Sequence, residues 1–118
     1  MKLIKVIIAG GRDFNDYDLL KNTCDYLLSD YDDIEIISGN ANGADKLGER
    51  YAIENNYKLN SFPADWNKYG KSAGYKRNVE MAEYGSALIA FWDGKSKGTG
   101  HMIDIANKNK LNVRIINY

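Results

Sequence analysis

The sequence predicts an α/β fold, a parallel sheet with helices on both faces, and three observations predict it. Short apolar runs alternate with stretches of helical periodicity from one end of the chain to the other. Four of those runs are followed by turns: Gly10-Gly11-Arg12-Asp13, Ser38-Gly39 through Gly43-Ala44-Asp45, Pro63 to Tyr75, and Asp93-Gly94 through Gly98-Thr99-Gly100. The chain is 118 residues long and 44% apolar, enough for one domain with a core of its own.

The elements follow in order. Leu3 to Ala9 is nearly continuous apolar sequence ending in Gly-Gly, which reads as a buried central strand. Asn15 is the expected N-cap of a helix over 16–29, with Asp18 completing an imperfect capping box and Tyr17, Leu20, Cys24, Leu27 and Leu28 forming its apolar face. Ile34 to Ser38 is a second strand. Gly43 opens a second helix with Ala44, Leu47 and Tyr51 inward, ended by Asn55-Asn56. Tyr57 to Phe62 is a third strand, stopped by Pro63, and a long loop is expected to about Tyr75. A helix over 76–84, a strand over 87–92, a helix over 99–108 and a strand over 113–116 complete the chain. Right-handed crossovers turn this βαβαβαβαβ order into a single-domain Rossmann-like three-layer sandwich spanning residues 1–118. Its expected strand order is 3-2-1-4-5, with the switch point between the first and fourth strands.

Composition narrows the function. Lys plus Arg equals Asp plus Glu at 16 each, which argues against nucleic-acid binding by bulk charge. Cys24 and His101 are each the only residue of their type, so a disulfide within the chain and zinc sites of several thiols or imidazoles are excluded. No apolar run approaches the roughly 20 residues of a membrane span, and the N-terminus lacks a signal-peptide shape, so a cytoplasmic protein is expected.

In a parallel sheet the turns that leave the strands open on one edge, where ligands bind. Gly10 and Gly11 let backbone approach a ligand, Arg12 offers a bidentate contact to phosphate, and Asp13 lies beside it. After Ser38 and Gly39, Gly43 and Ala44 are expected to bare the first N–H groups of the second helix. Asp45 reads equally as a partner of the helix dipole and as an acceptor from a ribose. In the long turn Trp66 reads as a packed anchor, whereas Arg77 and Asn78 stand at a helix start on the binding edge. Asp93, Gly94, Gly98, Thr99 and Gly100 form the fourth turn, with Thr99 as the expected cap and Gly98 and Gly100 offering N–H groups to phosphate. His101 reads as a bystander. Gly94-Lys95-Ser96 and Gly70-Lys71-Ser72 imitate the end of a P-loop, but Ile89 and Asp65 stand where its earlier glycine belongs, and no dinucleotide fingerprint is present. No cofactor is required and no metal residue is assigned; Asp13, Asp45, Asp65 and Asp93 are the residues a magnesium ion would use, but aspartate is common in turns.

These turns, taken as Gly10-Gly11-Arg12-Asp13-Phe14, Gly39-Asn40-Ala41-Asn42-Gly43-Ala44-Asp45, Phe62-Pro63-Ala64-Asp65-Trp66 and Arg77-Asn78, together resemble the YspA-like branch of the SLOG superfamily over nearly the whole chain. That superfamily includes the LOG nucleotide phosphoribohydrolases and the DNA-processing protein DprA. The resemblance implies a Rossmann-like pocket for a nucleotide or nucleotide derivative, a bacterial or phage origin, and pairing into a homodimer through helix faces. Arg77-Asn78-Val79-Glu80-Met81 is similar to the R-K-x-x-M segment of LOG enzymes, whose Arg works at the glycosidic bond, and Gly94 to Thr99 to their phosphate loop. Where those enzymes carry a catalytic Glu, this chain has Met102, and Asp104 is out of phase on the helix. The leading expectation is therefore a module that binds a nucleotide-derived ligand such as an ADP-ribose-like molecule. The alternative is an N-glycosidic hydrolase using Arg77 with Asp45 or Asp93, and a third reading is single-stranded DNA binding by analogy with DprA.

Overall fold

A computed structural model describes residues 2–118. The elements are β1 (Leu3–Gly10), α1 (Tyr17–Leu27), β2 (Asp33–Ser38), α2 (Ala44–Glu54), β3 (Lys58–Ser61), α3 (Trp66–Tyr69), a 3-10 turn (Gly70–Ser72), α4 (Ala73–Tyr84), β4 (Ala87–Trp92), α5 (Lys97–Lys108) and β5 (Asn112–Asn117). The five strands form one parallel sheet in the order β3-β2-β1-β4-β5, as the sequence predicts.

The alternation of the central strands decides which helix covers which face. Val6 and Ile8 of β1, Ile34 and Ile36 of β2 and Ile89 and Phe91 of β4 point one way, against Leu20 and Cys24 of α1 and Tyr51 and Ala52 of α2. Ile7, Ala9, Ile37, Leu88 and Ala90 point the other way, against Met81 and Ala82 of α4 and Met102, Ile103 and Ala106 of α5. The chain changes face once, between β3 and β4. Right-handed crossovers require this when the strand order reverses past β1. The reversal leaves the carboxyl ends of β1 and β4 side by side, with Gly10 in register with Phe91.

The starts of α1 and α4 differ from the sequence expectation. Asp16, not Asn15, caps α1: its carboxylate accepts from Leu19 N at 3.0 Å, and the capping box of Asn15 and Asp18 does not form. Consecutive Asn and Asp offer two caps, and the helical start at Tyr17 selects the later one. The expected loop over 63–75 is mostly helical, because Asp65 caps α3 by accepting from Lys68 N at 3.1 Å and α4 then begins at Ala73, three residues early. Among the described residues no helix is long and apolar enough to cross a membrane.

The cap assignment is open to direct measurement. Asp16→Ala should cost about 1 kcal/mol and lower the midpoint of thermal unfolding by roughly 3–5 °C, whereas Asn15→Ala should leave it near the starting value. Equal losses for the two variants would refute the assignment.

Candidate functional site

A cleft of about 460 Å³ opens at the carboxyl edge of the sheet, beside the switch point. Gly10, Gly11, Arg12 and Asp13 form one wall. Gly10 cannot carry a side chain, because a Cβ there would run into the carbonyl of Phe91 and come within 2.7 Å of Ala44 Cβ; its glycine is required by the close approach of β4 and α2. The wall is set by an aromatic stack behind it, Phe14 on Phe91 at 4.9 Å between ring centres and Tyr118 edge-on to Phe14 at 4.8 Å, with Tyr118 Oη donating to Asp13 Oδ1 at 2.8 Å.

Asp45 and Arg77 lie at the back of the cleft. Asp45 is 6% exposed and accepts from Ala41 N at 3.2 Å. Burial pushes its carboxyl up to about 6, and Glu49 adds to this, against the opposing pull of the Ala41 N–H, Arg77 and Arg12. Arg77 is brought over from α4. Its Nη1 donates to Gly39 O and its Nε to Asn78 Oδ1 at 3.1 Å, and among the described residues no protein acceptor takes its Nη2. Burial holds this guanidinium below its ordinary value, with Asp45 pulling it up and Arg12 down. A half-buried cationic group with a free donor is suited to an anionic ligand.

The first turn of α5 forms the opposite wall. The helix starts after Ser96, and its first backbone bond runs from Gly100 N to Ser96 O at 3.0 Å. Gly98 and Thr99 precede that bond and line the cleft, so their amides are the ones a phosphate would meet. Met81 and Met102 are buried and give the cleft an apolar floor.

Several residues singled out from the sequence stand elsewhere. Ala44 does not offer a bare amide, since its N donates to Gly11 O at 3.2 Å, and Gly43 turns the chain there at φ +80°. Neither lines the cleft. Thr99 lies inside the first turn instead of capping it, with its Oγ1 3.2 Å from Ser96 Oγ. The Gly100 amide is spent on Ser96, and a Cβ on Gly100 would meet the Trp92 ring at 3.3 Å. Asp93 turns its Oδ1 back to Lys95 N at 2.8 Å and Ser96 N at 2.9 Å, and these amides, Ser96 first, hold its carboxyl below the ordinary value. Neither Asp93 nor the adjacent Gly94, at φ +81°, reaches the cleft. Ser38 is buried behind the site, donating to Glu49 Oε2 at 2.7 Å and accepting from Asn40 N at 3.0 Å; Gly39 contributes only its carbonyl to Arg77. The four turn aspartates are each used locally, and among the described residues no group of three or more His, Cys, Asp or Glu is placed to hold a metal.

The mouth of the cleft is where the sequence reading missed most. Trp66 is 52% exposed and Tyr75 45% exposed, and both line the cleft with Lys71. Trp66 is thus no packed anchor. The turn of α3 sets it over Gly74, where a Cβ would meet the ring at 3.6 Å. The signal was present in the spacing from Asp65 to Lys68, which caps a helix and fixes the side chain that follows the cap.

Asp45 carries a stability prediction. Its carboxyl binds a proton more tightly folded than unfolded, so it favours folding most below pH 4 and that contribution is lost as pH rises through about 6. Asp45→Asn keeps an oxygen for Ala41 N and removes the charge. The variant should match the parent near pH 4 and exceed it above pH 7 by up to about 3 kcal/mol, read as the difference between their denaturant midpoints across pH. A difference that does not change with pH would refute the buried carboxyl as its source.

Comparison with known proteins agrees with this architecture. Residues 4–69 match the model of the YspA, cpYpsA-related SLOG family. The chain is 32% identical to Gene 61 protein of Mycobacterium phage D29, over 97% of this chain and 95% of that protein. Its fold is similar to that of DNA processing protein A from Helicobacter pylori, a protein described for its single-stranded DNA binding mode, with a TM-score of 0.68 at 18% identity; the alignment covers 95% of this chain and 64% of that one. A family match over more than half of its length and a phage relative along nearly all of it place this chain in the YspA, cpYpsA-related SLOG family.

Proposed function

We propose that the cleft binds a nucleotide or nucleotide-derived molecule, of the ADP-ribose or nucleoside phosphate kind, and retains it intact as a sensor or sequestering module. One observation carries the reading: an aromatic pair, three cations and two unclaimed helix-start amides line a single cleft. Trp66 and Tyr75 at the mouth suit the faces of a base, and Lys71 stands beside them. Arg77, Arg12 and the amides of Gly98 and Thr99 suit the phosphates. The volume falls in the range of small-molecule sites.

A second reading, hydrolysis of an N-glycosidic bond, is favoured by one specific observation. A carboxyl poised near pH 6 beside an arginine has the character of an acid–base group, and Asp45 is that group. Water would add to the anomeric carbon as the base departs with the bonding electrons, Asp45 taking the proton. Against it, Met102 supplies no second carboxyl at the floor, and Asp104 is exposed to solvent.

The two readings separate in one experiment. The protein is incubated with nucleoside monophosphates, NAD, ADP-ribose and a single-stranded oligonucleotide, and both retained and free fractions are read by mass spectrometry. An intact retained nucleotide supports the module; a freed base with ribose phosphate supports the hydrolase; retention of none refutes the cleft as a nucleotide site. For whichever nucleotide is retained, Arg77→Ala should weaken binding by about 1.5–3 kcal/mol and Trp66→Ala by about 1–3 kcal/mol, with thermal unfolding unchanged for Trp66→Ala. Unaltered affinity in both would remove the site assignment.

A further inference from the structure

Arg77 serves a ligand only while it is held in place; Gly39 O holds its Nη1, and the hold on its Nε runs through Asn78 to His101. Two partners orient the Asn78 amide, because each can play only one part. Arg77 Nε can only donate, so the atom 3.1 Å from it is Oδ1. Gly98 O can only accept, so the atom 3.3 Å from it is Nδ2. The same Nδ2 lies 3.2 Å from His101 Nδ1. A donor faces that nitrogen, so Nδ1 is bare and the neutral ring carries its proton on Nε2. Asn78 is 5% exposed, which leaves its amide little water to turn to. The His101 ring packs edge-on against Tyr75, with 4.5 Å between ring centres, and Tyr75 lines the cleft.

We infer that Asn78 and His101 are positioning residues for Arg77, and that proton uptake at His101 Nδ1 unseats Arg77, so that the cleft grips an anion above the titration of His101 and loosens below it. The inference rests on the proposed role of Arg77 as the cation that meets the ligand. The geometry allows no neutral escape. A protonated Nδ1 faces the Asn78 Nδ2 donor. Turning the amide restores a bond to His101, but it sets Nδ2 against Arg77 Nε–H and Oδ1 against Gly98 O. No orientation satisfies all three partners once the imidazole is charged. The groups that face His101 are Tyr75 and Asn78 from α4 and Asp104 and Lys108 from its own helix. Burial, joined by Lys108 and opposed by Asp104, holds the imidazole below its ordinary value, which keeps the ring neutral near pH 7.5.

The test has a part that needs no ligand. In nitrogen-15-labelled protein, the ring nitrogens of His101 report the tautomer and the Arg77 Nε–H signal reports its bond to Asn78. At pH 7.5 the expected result is a bare Nδ1 and an Arg77 Nε–H slow to exchange. Acidification through the titration of His101 should speed that exchange. His101→Asn, which keeps an oxygen acceptor at the place of Nδ1, should preserve the slow exchange over the same range, and His101→Leu should lack it at pH 7.5. A proton on Nδ1, or an Arg77 signal indifferent to His101 titration, overturns the inference.

The second part uses adenosine 5′-monophosphate as the probe. Asp45 ionises over a neighbouring range and weakens anion binding as pH rises, so the His101→Asn profile serves as the baseline. Relative to it, the parent protein should lose roughly 3- to 10-fold in affinity as His101 protonates, the scale of one hydrogen bond. Parallel profiles for the two proteins overturn the coupling. Failure of the nucleotide to bind at any pH, with the tautomer and exchange results as expected, would refute the nucleotide reading and leave the positioning of Arg77 standing.

Discussion

Gly11 joins the parts on which the molecule depends. Its N–H donates to Phe91 O at 3.1 Å, and its carbonyl accepts from Phe14 N and from Ala44 N, each at 3.2 Å. One residue thereby ties the end of β1 to the end of β4 and to the start of α2. This is the switch point of the sheet, the place where a doubly wound fold must leave a crevice because its connections depart to opposite faces. The crevice is held open by the same bonds that close the core beneath it. Gly43 serves the tie as well: its φ of +80° brings Ala44 N round to Gly11. Glycines that look ready for a ligand are here largely consumed in building the corner.

Charge is balanced over the whole chain and unbalanced where the ligand would sit. From Trp66 to Arg77 the sequence holds Lys68, Lys71, Lys76 and Arg77 and no acidic residue. Lys68 and Lys76 lie 5.1 and 4.9 Å from the centre of the Tyr69 ring, which holds two of the cations on the outer surface near the mouth. Inside, Asp45 is the counterweight. Desolvation raises its proton affinity while two arginines lower it, so Asp45 with Arg77 leaves the back of the cleft cationic below pH 6 and brings it toward neutrality above. At the site, therefore, the fold carries a buried carboxyl that opposes folding at neutral pH.

The strand order, the placing of helices on both faces and the gathering of the strand-to-helix turns at one edge were legible in the sequence. They rest on apolar periodicity and on the handedness of crossovers, which are local rules applied in order. Helix boundaries were less legible. Neighbouring residues such as Asn15 and Asp16 can both cap, and the choice is made by the residue at which the packed face begins. The segment after Pro63 read as a loop because its single turn of helix is too short to show a period, although Asp65 marked its start.

The site divided along the same line. Arg12, Asp45, Arg77, Asn78 and the turn of Gly98 and Thr99, all singled out from the sequence, line the cleft because the topology brings the ends of β1, β2 and β4, the first half of α4 and the start of α5 to one edge. The sequence by itself thus determined which turns share that edge. Only the tertiary structure decided which groups in those turns are free. An amide or carboxylate near the edge is available to a ligand when no nearer partner claims it. Gly11 claims the amide of Ala44, Ser96 claims that of Gly100, and the amides of Lys95 and Ser96 claim Asp93. Trp66 and Tyr75 entered the site for the converse reason: the turn of α3 sets Trp66 over a glycine at the mouth, and no element packs over either ring enough to bury it.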